Sequence, residues 1–145
     1  MDHSVHQVTW TQVEEFTSQL AGRITADGSE FDQITAVARG GFVPARLLAS
    51  ELGVARLGSI GVRYPDATRA VPEIHAPVTG LRSTDRVLLV EDAIESGRSM
   101  LHAATAIRPH VAQVVTAAYF RLPNAVMGLD FALGERAQLP RFPWE

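Results

Sequence analysis

Residues 87–99 read VLLVEDAIESGRS and indicate the fold more strongly than any other stretch of the chain. The first four residues are apolar, as in a buried strand, and they run directly into the adjacent acids Glu91 and Asp92. A third acid, Glu95, precedes a Ser-Gly-x-Ser turn, after which the apolar spacing predicts a helix. The stretch therefore predicts a strand that delivers carboxylates to a loop at a helix N-terminus, where backbone N–H groups bind phosphate well.

Length and composition limit the class of protein. The chain has 145 residues, which suits one domain with a hydrophobic core. Its net charge of −3 argues against a broad nucleic-acid or anionic-membrane surface, so we expect neither partner. The absence of cysteine excludes disulfides, Cys-based zinc sites and a thiol nucleophile. No apolar run is long enough for a bilayer and no signal-peptide pattern is present, which predicts a cytoplasmic protein.

Strands and helices alternate along the chain. The periodicity predicts helices at 11–24, 45–52 and 99–107 and strands at 34–38, 54–62, 87–90 and 113–120. A capping box over Thr11–Glu14 is predicted to start the first helix. Residues 63–84 are predicted to form a long loop with room for a hairpin. This order predicts an α/β fold, a parallel twisted sheet flanked by helices, whose strand ends share one ligand crevice.

A second loop follows the strand predicted at 34–38. It reads Ala38-Arg39-Gly40-Gly41, and its glycines allow backbone N–H groups to approach an anion while Arg39 adds positive charge. Taken alone, such glycines more often serve a simple strand–helix connection. Because the sheet topology brings this loop to the same edge as the acidic loop, the pair favours a second anion site.

The two loops together resemble the type I phosphoribosyltransferases, which bind phosphoribosyl pyrophosphate (PRPP). Every slot of that family's signature is filled by Val87–Ser99. Stretches 8–10, 20–23, 34–44, 47–53 and 91–99, and weakly 143–145, resemble the bacterial xanthine-guanine phosphoribosyltransferases within the family, and 63–84 and the tail match poorly. The resemblance implies one domain, 1–145, with the type I phosphoribosyltransferase fold and a small C-terminal base-binding hood at 121–145. It also implies a homodimer or homotetramer.

The resemblance implies transfer of ribose 5-phosphate from PRPP to a ring nitrogen of a purine or purine-like base, with release of pyrophosphate. Guanine, xanthine, hypoxanthine and deazapurine analogues all remain open as acceptors. The alternative is a non-catalytic regulator that senses PRPP or a nucleotide on the same fold.

The resemblance also assigns roles to residues of the two loops. Glu91 and Asp92 are expected to bind the ribose hydroxyls and Mg²⁺, and Glu95 to act beside the reacting centre, so that these three acids form the catalytic set. The expected 5-phosphate ligands are Ser96, Gly97, Arg98 and Ser99. The expected pyrophosphate ligands are Ala38, Arg39, Gly40 and Gly41, with a cis peptide between Ala38 and Arg39.

The departures from the family fall where the base and the mobile loop are expected. The family's purine-reading lysine is matched by Arg121 and its base-stacking tryptophan by Leu139, while Ile94 and Phe142 complete the predicted base site. For Arg121 the alternative is a solvated charge after a strand. In the mobile loop, the family's Ser-Tyr pair is matched only in part, by Arg63 and Tyr64.

Overall fold

The computed structural model describes residues 5–68 and 70–145. Helices and strands alternate as the sequence predicts. In chain order the elements are α1 (Trp10–Asp27), β1 (Gln33–Ala38), α2 (Phe42–Leu52), β2 (Arg56–Arg63), β3 (Glu73–Ala76), β4 (Arg86–Val90), β5 (Ala93–Ile94), α3 (Arg98–Ile107), a 3-10 turn (Arg108–His110), β6 (Gln113–Ala117), β7 (Phe120–Arg121) and β8 (Gly134–Glu135). None of the helices in the described ranges is long and apolar enough to cross a membrane.

The main sheet has five strands in the order β3-β2-β1-β4-β6. The four strands from β2 to β6 in that order are parallel, and β3 pairs antiparallel with β2 at one edge. The predicted parallel sheet is therefore confirmed, and part of 63–84 forms the hairpin arm β3. Because β1 and β4 are neighbours and parallel, the loops that follow them meet at one edge of the sheet.

Helices cover both faces of the sheet, and β4 shows how. Leu88 and Val90 belong to the core cluster that contains residues of α1 and α2, whereas Leu89 belongs to the cluster that contains α3. This alternation is the period of two that a strand imposes on its side chains. Since β4 is buried on both faces, it fixes where the acidic residues after Val90 begin.

The first helix begins earlier than predicted. Its N-cap is Thr9, whose hydroxyl accepts a hydrogen bond from the backbone N–H of Gln12 at 3.1 Å, while the Gln12 side chain accepts from the Thr9 N–H at 2.9 Å. This is a capping box with Gln at its last position. The predicted box over Thr11–Glu14 is therefore wrong, because Thr11 already lies inside the helix.

The predicted strand 113–120 is also shorter in the structure and divides after Ala117. The N–H of Ala118 bonds the carbonyl of Phe131 at 3.2 Å, and that of Tyr119 bonds the carbonyl of Asp92 at 2.9 Å. The chain thereby leaves the main sheet and enters a small second sheet with the order β5-β7-β8. This second sheet lies next to the acidic loop, since β5 follows Asp92 directly.

Candidate active site

Two cavities open at the C-terminal ends of the strands. The first, of ≈ 470 Å³, is lined by the acidic loop, the α3 N-terminus and the tail, and its lining includes Glu91, Asp92, Ile94, Glu95, Ser96, Gly97, Arg98, Ser99, Leu139, Pro140, Phe142 and Glu145. The second, of ≈ 710 Å³, is lined by residues after β1 and on the β2–β3 hairpin, including Ala38, Arg39, Phe42, Ser59, Arg63 and His75. Tyr64, Glu91 and Ser99 line both cavities, so the two form adjoining parts of one crevice.

The turn at the start of α3 lines the first cavity with the N-terminus of a helix. Gly97 is the N-cap, with φ +80°, a conformation that favours glycine. The N-cap Gly97 has no side chain to cap the helix, and the first-turn N–H groups have no acceptor within it, although the Arg98 N–H donates to the Ser96 hydroxyl at 3.2 Å. A hydrogen bond from the N–H of Val126 to the carbonyl of Ser96, at 2.7 Å, fixes the backbone of this turn. This geometry suits a phosphate group.

The glycine loop after β1 is packed closely against β4. The N–H of Gly41 donates to the carbonyl of Val37 at 2.9 Å, and a β carbon on Gly41 would lie 2.2 Å from the carbonyl oxygen of Val90. Only glycine fits there without movement of the backbone. The peptide bond between Ala38 and Arg39 is cis, as predicted. Arg39 is exposed and lines the second cavity, where its charge is available to an anion.

Glu91 and Asp92 stand where the two cavities join. Burial, and then the neighbouring Asp92, raises the pKa of Glu91 to about 8. Burial also raises the pKa of Asp92 to about 6, against hydrogen bonds from Trp144 and the backbone that lower it. Burial thus favours the neutral form of both acids until a cation or substrate changes their surroundings.

Both oxygens of Asp92 accept hydrogen bonds. The Ala93 N–H donates to Oδ1 at 2.6 Å, and the indole Nε1–H of Trp144 donates to Oδ2 at 2.9 Å. Trp144 belongs to the C-terminal tail, and its ring is stacked on Phe142, with centroids 4.8 Å apart and planes 3° apart. The tail therefore reaches the acidic loop directly.

The remaining predicted loop residues lie around the rim of the crevice. Glu95 is exposed and lines the first cavity. The hydroxyl of Tyr64 lies 3.4 Å from that of Ser99, which links the end of β2 to the phosphate turn. Arg63 forms an ion pair with Glu73 at 2.6 Å across the β2–β3 hairpin. The structure thus places Tyr64 at both cavities and Arg63 at the second.

The predicted base residues do not all lie together. Ile94, Leu139 and Phe142 line the first cavity, although Ile94 and Phe142 are each only 2% exposed. Arg121, on β7, pairs with Ile94 of β5 but is absent from the described lining of both cavities. Its side chain points to the carbonyl of Leu122 at 3.4 Å and to Glu135 at 3.9 Å. Its role in reading a base stays a prediction.

Several residues of the crevice escaped sequence analysis. His75 on β3, Ser59 on β2 and Glu145 in the tail line the cavities but stand in no motif. The hydrogen bond from the indole N–H of Trp144 to Asp92 is a further contact that the sequence does not indicate. The contact between tail and acidic loop is long-range, and no local pattern in the sequence signals it.

Comparison with known proteins agrees with this geometry. The family model of the phosphoribosyl transferase domain matches residues 9–125. The xanthine-guanine phosphoribosyltransferase of Gluconobacter oxydans is 27% identical over 143 residues, which cover 95% of this chain and 83% of the relative. The crystal structure of the purine phosphoribosyltransferase from Pyrococcus horikoshii superposes with a TM-score of 0.85 at 27% identity, over 96% of this chain and 92% of that one.

A more distant structure shows the same fold. The xanthine-guanine-hypoxanthine phosphoribosyltransferase of Helicobacter pylori also has a TM-score of 0.85, at 18% identity, over 97% of this chain and 93% of that one. The predicted α/β phosphoribosyltransferase fold is therefore confirmed. The family model matches most of this chain, and both signature loops lie at one crevice. The chain therefore belongs to the phosphoribosyltransferase family.

Proposed function

We propose that this chain transfers ribose 5-phosphate from PRPP to a purine or purine-like base, with release of pyrophosphate and formation of a nucleoside 5′-monophosphate. One observation carries the proposal: two cavities, each beside one of the two predicted anion-binding loops, adjoin at Glu91. PRPP carries a phosphate and a pyrophosphate on either side of a ribose, which matches that order. The xanthine-guanine phosphoribosyltransferase of Gluconobacter oxydans acts on purines by name and gives no support to the regulatory alternative.

The residues can be matched to the parts of PRPP. The 5-phosphate would lie on the backbone of Gly97–Ser99 with the hydroxyls of Ser96 and Ser99, and Arg98 would add charge at the rim. The pyrophosphate would lie in the second cavity beside the Ala38–Gly41 loop, of which Ala38 and Arg39 line the cavity. The ribose would then lie over Glu91 and Asp92, whose carboxyl oxygens suit its hydroxyls.

The base would enter the first cavity from the tail side. Leu139 is its best-placed apolar wall, because Ile94 and Phe142 are almost fully buried and Trp144 covers one face of Phe142. Glu95 stands exposed on the same cavity and would accept the proton that the ring nitrogen loses, or stabilise positive charge on the ribose. Residues 121–145 would serve as the hood of the base site.

The donor set fits Mg²⁺. Mg²⁺ prefers oxygen ligands and is commonly held by one or two carboxylates together with substrate phosphates. Glu91 and Asp92 supply two carboxyl groups, and among the described residues no group of three or more His, Cys, Asp and Glu side chains could hold a metal alone. Glu91 and Asp92 would hold the ion together with the substrate, and the ion would neutralise negative charge on the pyrophosphate.

Incubation of the protein with PRPP, Mg²⁺ and one base at a time tests the proposal. We expect pyrophosphate release with guanine, xanthine or hypoxanthine and an equal yield of the nucleotide by chromatography. Omitting Mg²⁺ tests the dependence on the ion, and Glu91→Gln/Asp92→Asn serves as the inactive control. Tight PRPP binding without nucleotide from any of these bases or a deazapurine would instead support the regulatory alternative. Gel filtration of the same sample tests the predicted homodimer or homotetramer.

A further inference from the structure

The hydrogen bond between Trp144 and Asp92 has no counterpart among the roles assigned above. Asp92 is the second acid of the loop, and its Oδ2 accepts from Trp144 while its Oδ1 accepts from the adjacent Ala93 N–H. One of these donors is local, and the other comes from the far end of the chain. The orientation of the carboxylate therefore depends on where the tail lies.

Trp144 is held in place from both sides. Its ring stacks on Phe142, which is 2% exposed, and contacts the ring of Trp10 with centroids 5.8 Å apart. The tail backbone is also tied down, because the Arg141 N–H bonds the carbonyl of His6 at 2.8 Å and the Val8 N–H bonds that of Arg141 at 2.9 Å. The indole donor thus reaches Asp92 from a packed support and not from a loose end.

A fixed donor limits what the carboxylate can do. An indole N–H is a donor only, so it bonds a carboxylate oxygen and keeps that oxygen turned towards it. The Asp92 carboxylate also faces the glycine loop, since a β carbon on Gly40 would lie 2.9 Å from both of its oxygens. The remaining lone pairs of the carboxylate are thereby restricted to directions that open into the crevice.

We propose that Trp144 is a positioning residue that orients the Asp92 carboxylate for PRPP. This inference rests on the proposed function. The tail that carries Trp144 also carries Leu139, Pro140 and Phe142, which line the first cavity. A change at Trp144 should therefore act on PRPP, even though Trp144 lies in the segment expected to bind the base.

The test compares Trp144→Phe with Trp10→Phe. The first keeps a stacked ring but removes the N–H, and the second alters the neighbouring ring without touching Asp92. We expect Trp144→Phe to lower kcat/KM for PRPP by about 10–100-fold, the usual effect of losing a group that orients a ligating carboxylate, with base KM little changed. Trp10→Phe should stay within about two-fold of the wild type, and both variants should retain the wild-type circular dichroism and melting transition.

A double-mutant cycle with Asp92→Asn separates positioning from a general structural effect. If Trp144 acts through Asp92, adding Trp144→Phe to Asp92→Asn should cost little further activity, because interacting residues are not additive. Additive losses, or a Trp144→Phe enzyme with unchanged kcat/KM for PRPP, would overturn the inference. If the wild type forms no nucleotide, the proposed function fails, and calorimetric PRPP binding then replaces kcat/KM: an unchanged affinity in Trp144→Phe, or no PRPP binding at all, overturns the inference.

Discussion

A β carbon on Gly40 would lie 2.9 Å from both carboxylate oxygens of Asp92. These residues belong to different loops, one after β1 and one after β4, and they meet because those strands are parallel neighbours. Asp92 has little room to move away, since both of its oxygens are already hydrogen-bonded. Asp92 can therefore occupy its present position because residue 40 has no side chain.

Gly40→Ala should therefore impair the site more than the fold. The added methyl group would push the Asp92 carboxylate out of place, so we expect kcat/KM for PRPP to fall by about ten-fold or more. The measurement is steady-state kinetics alongside thermal unfolding. Full activity in the alanine variant would show that Asp92 tolerates displacement.

At the adjacent Gly41, an added side chain should impair the fold more than the site. A methyl group there would meet the backbone oxygens of Val90 and Val37 at 2.2 and 2.7 Å, so Gly41→Ala should destabilise the protein by about 1–3 kcal/mol or more. Gly22 in α1 is the matched control, because nothing lies within 4 Å of its β-carbon position. Gly22→Ala should stabilise by about 0.5–1 kcal/mol, as for glycine inside a helix. Urea unfolding of the three proteins checks this order.

The sequence predicted the parts of the site that are carried by local pattern. Val87–Ser99 and Ala38–Gly41 are each continuous, and their joint position follows from parallel strand order, so both loops lie at the crevice as expected. The bond from Trp144 to Asp92 depends on how an aperiodic tail packs, and no spacing rule encodes it. The end of β6 at Ala117 was missed for a related reason, since the apolar run to Phe120 continues while its pairing partner changes.

The ion pair of Arg56 and Asp85 should make stability depend on acid pH. Asp85 is buried, and the hydrogen bond from Arg56 is the largest cause that lowers its pKa to about 2. The unfolded value is near 3.9, about two units higher, so the native state favours the ionised form. Its contribution is therefore present above about pH 4 and is lost as pH falls towards 2.

Asp85→Asn isolates this contribution. We expect the variant to be less stable than the wild type at pH 7, with a difference that shrinks steadily between about pH 4 and pH 2. Denaturant unfolding at several pH values measures it, and Asp27→Asn on the exposed end of α1 serves as the control. A difference that stays constant down to pH 2 would contradict the role of the Asp85 charge.

Glu95→Gln should separate binding from turnover. Glu95 is exposed on the first cavity, so PRPP affinity should change only a few-fold. Turnover should fall by about 10²–10⁴, as expected when a proton-transfer group is lost. Glu14→Gln, on the exposed side of α1, is the control. Unchanged turnover with the best base would remove Glu95 from the mechanism.

Arg121 offers a test of how the base is read. Among the described residues its side chain has long polar contacts, at 3.4 and 3.5 Å to the carbonyls of Leu122 and Pro123 and 3.9 Å to Glu135. To reach a base in the first cavity, the guanidinium must leave these partners. Because the contacts are long, breaking them costs little free energy. An arginine that then donates to a 6-oxo group forms a charge-assisted hydrogen bond, worth about 1.5–3 kcal/mol.

If Arg121 reads that oxygen, Arg121→Ala should raise the KM for guanine and hypoxanthine by roughly 10–150-fold and leave PRPP nearly unaffected. Adenine has an amino group in place of the oxygen, so its KM should change little. Arg121→Lys should retain part of the function, because it keeps the charge but loses the planar fork. Arg136→Ala is the matched control, since Arg136 lies over the Phe120 ring at 4.3 Å on the same small sheet. Equal effects on every base, or an effect on PRPP alone, would mean that Arg121 is structural and that residues 139–145 read the base.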